Sequence, residues 1–130
     1  KSKGLKFGKI FKIKKKVFNF NKKNIAEKKV LFELKKNKID LICLAGFMKI
    51  LSKFFIENFN GTILNIHPSL LPKFKGLNTF LRMIKNKEKK AGCTVHYVNE
   101  KLDSGNIITQ KFFYIKSGNN EQTLKENTQN

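Results

Sequence analysis

At 130 residues and 40% hydrophobic content, the chain has the length of one domain or part of one, with apolar material for a modest core. No apolar run approaches the roughly 20 residues that a membrane-spanning helix needs. Lys and Arg number 28 against 9 Asp and Glu, a formal net charge of +19.

Such a charge invites a reading as a basic nucleic-acid-binding module or a binder of anionic membrane surfaces, acting through counterion release. More than half of the lysines fall within the first 38 residues, as in a basic arm. Against this, Lys, Asn, Ile and Phe are abundant together, as an AT-rich genome dictates. Arg, the better reader of phosphates and base edges, is represented by Arg82 alone. The lysines are also spread around the expected helices rather than gathered on one face. The charge is therefore read as compositional, with a secondary benefit in attracting polyanionic substrates. No specific nucleic acid and no membrane is expected as a partner. Cys43 and Cys93 each lie in an apolar run and read as small buried hydrophobes in a reducing cytoplasm, the expected location. With His67 and His96 they lack the close ligand pairs of a zinc site, so no metal is expected.

In chain order, Ser2 to Phe11 suits the end of a helix, weakened by Gly4 and Gly8, and Lys14 to Phe20 a short strand around Val17 and Phe18. The spacing predicts a helix over Asn24 to Asn37: Ala26, Val30 and Leu34 step by four, and Ile25 and Leu31 widen the stripe. Ile39 to Ala45 is a continuous apolar run, the mark of a strand buried on both faces of a parallel sheet, and Gly46 ends it. Ser52 can cap a short helix through Asn58, with Gly61 suited to its end. Thr62 to His67 is the next strand, Leu77 to Asn86 a helix, and Lys85 to Lys90 a solvated connection. Gly92 to Asn99 and Asn106 to Ile115 read as two more strands, Ser117 to Asn120 as a turn, and Glu121 as the start of a helix. The alternation gives an α/β class: a single, partial domain over residues 1–130, with a largely parallel open sheet and flanking helices.

The densest chemistry lies in Asn65-Ile66-His67-Pro68-Ser69-Leu70-Leu71-Pro72, which holds both prolines and one of the two histidines. Side chains alternate along a strand, so Asn65 and His67 project to the same side where the strand ends, the place where open α/β sheets bind ligands. Pro68 and Pro72 stiffen the loop that follows. Taken alone, a His at a strand end is more often structural than catalytic. The whole octet, however, resembles the signature of the folate-dependent formyltransferases. Three further segments resemble that family in the same order: Leu44 to Leu51, Gly92 to Val98, and Leu102-Asp103-Ser104-Gly105 followed by Ile107 and Ile108. The likeness covers roughly Ile39 to Gln110.

The resemblance implies a Rossmann-like formyltransferase fold. It also implies transfer of a formyl group from 10-formyltetrahydrofolate, as co-substrate, to the amine of glycinamide ribonucleotide in purine biosynthesis. It makes Asn65, His67 and Asp103 the catalytic trio, which should converge on one cleft. Asn65 would donate to the tetrahedral oxyanion, His67 would donate and then shuttle a proton, and Asp103 would favour the imidazolium form of His67. Without the resemblance Asp103 reads as a turn aspartate. The resemblance also implies a folate slot with Met48, Lys49, Ile50 and Leu51 on one wall and Val98, Asn99, Glu100, Lys101 and Leu102 on the other. Asn65 and Asp103 also touch folate in that pattern, Lys23 is a basic contact, and Gln129 a distal contact to the amine substrate. Ile50 suits ordinary core packing equally well, and His96 reads as structural.

Related families share the trio. Methionyl-tRNA formyltransferase continues with an Arg-Gly-Ala-like stretch where this chain has Lys75-Gly76-Leu77-Asn78-Thr79, and formyltetrahydrofolate deformylase departs at Pro68 and Leu70. The deformylase, or a transferase to another acceptor, is the alternative enzyme, and a basic nucleic-acid-binding module the alternative of another class. The resemblance implies N-terminal strands, a Gly-rich phosphate loop and a C-terminal end that find no match here. The chain is therefore expected to be an internal fragment with little formyl transfer of its own, and its strand at Leu41 to Ala45 to have one edge unpaired or paired with a segment such as Val17 to Asn19.

Overall fold

The computed structural model, which describes residues 4–129, sets four strands side by side in chain order: β1 (Leu41–Ala45), β2 (Thr62–His67), β3 (Lys90–Tyr97) and β4 (Ile107–Tyr114). Five helices accompany them: α1 (Gly4–Ile10), α2 (Lys23–Lys36), α3 (Lys53–Asn58), α4 (Thr79–Lys85) and α5 (Glu121–Gln129). β1 runs parallel to β2, β3 is antiparallel to β2, and β4 is antiparallel to β3. Three of the four strands thus share one direction, in keeping with a mainly parallel α/β sheet. β3 alone is reversed, and its central place makes both of its own pairings antiparallel.

Most expected elements stand within a residue or two. The helix expected from Ser2 spans Gly4–Ile10, with Ser2 outside the described residues. Ser52 caps α3 as expected, its Oγ accepting from Phe55 N at 3.1 Å. Gly61 is required for another reason than a helix end: a Cβ there would lie 2.3 Å from Asp40 O, so only glycine lets the chain pass that close.

Three expectations are corrected. Lys14 to Phe20 forms no strand, and Val17 is exposed; a short β-prone stretch without a hydrogen-bonding neighbour does not hold as a strand. β1 is not buried on both faces. It is an edge strand in which Leu41, Cys43 and Ala45 face outward and only Ile42 and Leu44 turn towards the core. Cys43 is consequently exposed and Cys93 half-buried, where both were expected inside. On α2, Ile25 is exposed, whereas Glu27 is 1% exposed. The carboxylate is buried because it has partners: it accepts from Ser52 N at 2.9 Å and Ser52 Oγ at 2.5 Å, tying α2 to the start of α3.

Two apolar clusters hold the layers together. In the first, Leu51, Phe55, Phe59 and Ile63 are buried, with Val30, Leu31 and Leu34 of α2 and Ile42, Leu44 and Val98 packed against them. In the second, Met83 of α4, Ala91 of β3 and Leu124 of α5 meet, backed by Phe80 and Phe113. Each large side chain so buried stabilises the fold by roughly 1.5 to 3 kcal/mol. Among the described residues no helix is long and apolar enough to cross a membrane.

The burial difference between the cysteines is directly testable. In the native protein Cys43 should react with a thiol-specific chromogenic disulfide well before Cys93, while both react at similar rates in denaturant. Equal native rates would contradict the open face of β1.

Candidate active site

The site is built where β2 ends. Ile63 faces the first core cluster and is 6% exposed, which fixes the same-side residues Asn65 and His67 on the covered face of the sheet. The antiparallel register then sets Asn65 opposite His96 and His67 opposite Thr94. A β-bulge between Val95 and His96, where β3 meets β4, falls next to the site, as bulges often do.

Four polar side chains meet here. His67 Nδ1 lies 3.4 Å from Asp103 Oδ2, and His67 Nε2 lies 2.9 Å from Phe74 O. Both ring nitrogens therefore face oxygen acceptors, an arrangement complementary to imidazolium, whose two N–H groups both donate. Asp103 Oδ2 also accepts from Gly76 N at 2.8 Å, and Asp103 Oδ1 lies 3.7 Å from His96 Nε2. His96 Nδ1 donates to Tyr97 O at 2.7 Å, which leaves Nε2 as the acceptor for Asn65 Nδ2 at 3.2 Å. The side chains of His67, His96 and Asp103 are 6%, 3% and 9% exposed, and Asn65 is half-buried. Asn65, His67 and Asp103 thus converge as expected, with one difference. His96, read from sequence as structural, is hydrogen-bonded to Asn65 and lies 3.7 Å from Asp103, between the two. Its position opposite Asn65 was the only available signal, and it requires knowing the strand register.

The loop after His67 is held from below by Thr94, which is 0% exposed. Thr94 Oγ1 donates to Ser69 O at 2.6 Å and accepts from Leu71 N at 3.0 Å and Gln110 Nε2 at 2.8 Å. One hydroxyl thus uses its donor and both acceptor sites on this loop and β4. Asp103 itself adopts a left-handed backbone, φ +44°. Its turn returns the chain close to β3, where a Cβ on Gly105 would lie 1.7 Å from Tyr97 O. Asp103 is thereby set in a tight, glycine-dependent turn.

The segments expected to wall a folate slot flank this network. Leu51 is buried and Val98 packs against the same cluster, so the two walls share one foundation. Met48, Ile50 and Leu102 remain 71%, 58% and 48% exposed, which moves the core role entertained for Ile50 to Leu51. Lys49, Asn99 and Lys101 are exposed. Lys53 pairs with Glu100 across the walls at 3.4 Å; that hydrogen bond, then the charges of Glu100 and Glu57, raise the lysine above its ordinary range. Lys23 stands 3.9 Å from Glu27, the residue that holds Ser52. Gln129 ends α5, which packs against α4 and β3, and among the described residues no hydrogen bond or ion pair joins it to the trio. Among the described residues no group of three His, Cys, Asp or Glu side chains is disposed to hold a metal ion.

The chain matches the family described as formyl transferase over residues 2–130. It is 50% identical over 88 residues to the human trifunctional purine biosynthetic protein adenosine-3, covering 68% of this chain and 9% of that protein. It is 36% identical over 110 residues to phosphoribosylglycinamide formyltransferase of Escherichia coli strain K12, covering 85% of this chain and 52% of that one. The crystal structure of phosphoribosylglycinamide formyltransferase from Anaplasma phagocytophilum superposes with a TM-score of 0.91 at 37% identity, covering 98% of this chain and 60% of that chain. The chain therefore spans about a tenth of the trifunctional relative and a little over half of the single-function ones.

Replacing Thr94 with Val keeps the shape and removes the hydroxyl, leaving Ser69 O and Leu71 N without a buried partner. Thr94→Val should lower stability by roughly 2 to 3 kcal/mol in urea unfolding, more than a surface Thr→Val change would. A loss below about 0.5 kcal/mol would mean that the loop does not depend on it.

Proposed function

Because the chain belongs to the formyl transferase family, we propose that it transfers a formyl group from 10-formyltetrahydrofolate to the amine of glycinamide ribonucleotide, a step of purine biosynthesis in the cytoplasm. The reading is carried by the 3.4 Å pairing of His67 with Asp103 beside Asn65. Attack of the amine on the formyl carbon produces a tetrahedral oxyanion and a surplus proton. Asn65 has two amide hydrogens; one is engaged by His96 and the other is free to meet the oxyanion, a contribution of about 3 kcal/mol for one well-placed donor. His67, flanked by Asp103, holds the proton to be passed to the leaving nitrogen of the folate. For Nε2–H to reach the substrate it exchanges its bond to Phe74 O for one to the reacting group. His96 holds the Asn65 carboxamide with its nitrogen towards the network, because its own Nδ1–H is committed to Tyr97 O.

The exposed apolar side chains of Met48, Ile50 and Leu102 support a slot for the pterin between the two walls, with Val98, Asn99, Glu100 and Lys101 lining its far side and Lys49 and Lys23 as cationic contacts for the folate tail. Gln129 is assigned to the amine substrate. The partners are thus small molecules, and the lysine excess serves to attract their negative charge.

His67→Ala, Asp103→Ala and Asn65→Ala in the complete natural polypeptide should each lower turnover by about a hundredfold, with folate binding retained. His96→Ala should cost about tenfold, since it orients rather than reacts. Formation of tetrahydrofolate with and without glycinamide ribonucleotide is the measurement. Near wild-type turnover in all four variants would refute the assignment, and a rate independent of the amine would mark water as the acceptor instead.

A further inference from the structure

Arg82 is the only arginine of a chain in which every other cationic side chain of the Lys and Arg class is lysine. It takes no part in the chemistry above, yet it contacts the segment that holds the reacting groups. From the exposed face of α4, its guanidinium Nη1 donates to Lys75 O at 2.6 Å and more weakly to Leu77 O at 3.4 Å. The same guanidinium carbon lies 5.4 Å from the centre of the Phe74 ring. Arg82 therefore touches three of four consecutive residues, Phe74, Lys75 and Leu77.

That segment is strained. Phe74 has φ of +57°, a left-handed value that a bulky residue keeps only when its surroundings enforce it. It also provides both backbone groups that flank the trio: Phe74 O on His67 Nε2, and Gly76 N on Asp103 Oδ2. Lys75 Nζ adds a bond to Ser104 Oγ at 2.5 Å, drawing the segment against the Asp103 turn.

We infer that Arg82 is a positioning residue for the His67–Asp103 pair, clamping residues 74–77 so that one carbonyl and one amide stay aligned on its two ends. The inference rests on the formyltransferase reading for its catalytic readout. Charge alone does not explain the choice of residue. Both carbonyls are met by the single nitrogen Nη1, which an ammonium could imitate, but a lysine lacks the planar guanidinium that lies against the Phe74 ring at the same time.

The test uses Arg82→Lys, which keeps charge and approximate length, and Arg82→Ala. Both should lower kcat about tenfold or more with KM for either substrate little changed, since small displacements at a reacting pair are costly. Both should also shift the ring nitrogen and proton resonances of His67 in histidine-labelled protein, while Arg82→Lys unfolds near the wild-type temperature. Added guanidinium ion, but not ammonium at equal ionic strength, should restore part of the Arg82→Ala loss. Unchanged His67 resonances in both variants would overturn the inference, as would a kcat loss that follows stability and is not rescued. The resonances are read without substrate, so absence of turnover in the wild-type complete natural polypeptide would count against the formyltransferase reading and leave this test decisive.

Discussion

The register in which β2 meets β3 is the constraint on which the site depends. Directly opposed residues of an antiparallel pair point to the same face, so pairing Asn65 with His96 and His67 with Thr94 places all four side chains together. Ile63, held in the core, decides which face that is. A slip of one residue would leave β2 in place and turn every β3 side chain over, setting Val95 or Tyr97 against Asn65 and sending His96 to the other side. An apolar contact thus chooses the face, and backbone pairing chooses the polar partners.

Concentrating two imidazoles, a carboxylate and an amide in so little solvent is tolerable only because the buried polar atoms are matched. Among the described residues no buried side-chain nitrogen or oxygen lacks a hydrogen-bond partner. Much of the matching comes from main chain rather than side chain: Phe74 O, Gly76 N, Tyr97 O, Ser69 O and Leu71 N all serve it. Main-chain groups add no further charge to a protein already carrying +19.

Much of this was legible in the residues. Strand β2 fell where its alternation and the following proline place it, and Asn65 and His67 were recognisable as same-side neighbours. Asp103 was singled out only through the family resemblance, because nothing local sets it apart from an ordinary turn aspartate. His96 was undervalued for a different reason: alternation gives two faces for β3 but not which of them meets Asn65, and that follows only from long-range pairing. The error over β1 has the same origin. An apolar run records what a strand can bury, whereas burial depends on what packs against it, so Cys43 and Leu41 were expected inside and lie open. The burial of Glu27 was not read at all, since nothing in a helix sequence announces that a carboxylate will find Ser52 N and Oγ as donors. The role of Arg82 had no signature beyond its rarity.

The open edge of β1 couples the composition to the behaviour of the protein in solution. β1 pairs only with β2, so among the described residues one row of its backbone groups has no strand beside it, in a stretch of Leu, Ile, Cys and Ala. Such an edge is a template for the same edge of another copy. The lysine excess counters this at a distance: like-charged molecules repel across a screening length of about 30 Å at 0.01 M salt, which contracts to about 3 Å at 1 M. Colloidal stability of this fold is therefore electrostatic and not steric. It should fall as ionic strength rises, the reverse of the salting-in common among near-neutral globular proteins, and polyanions that neutralise lysine would bring the edges together at far lower concentration than simple salt.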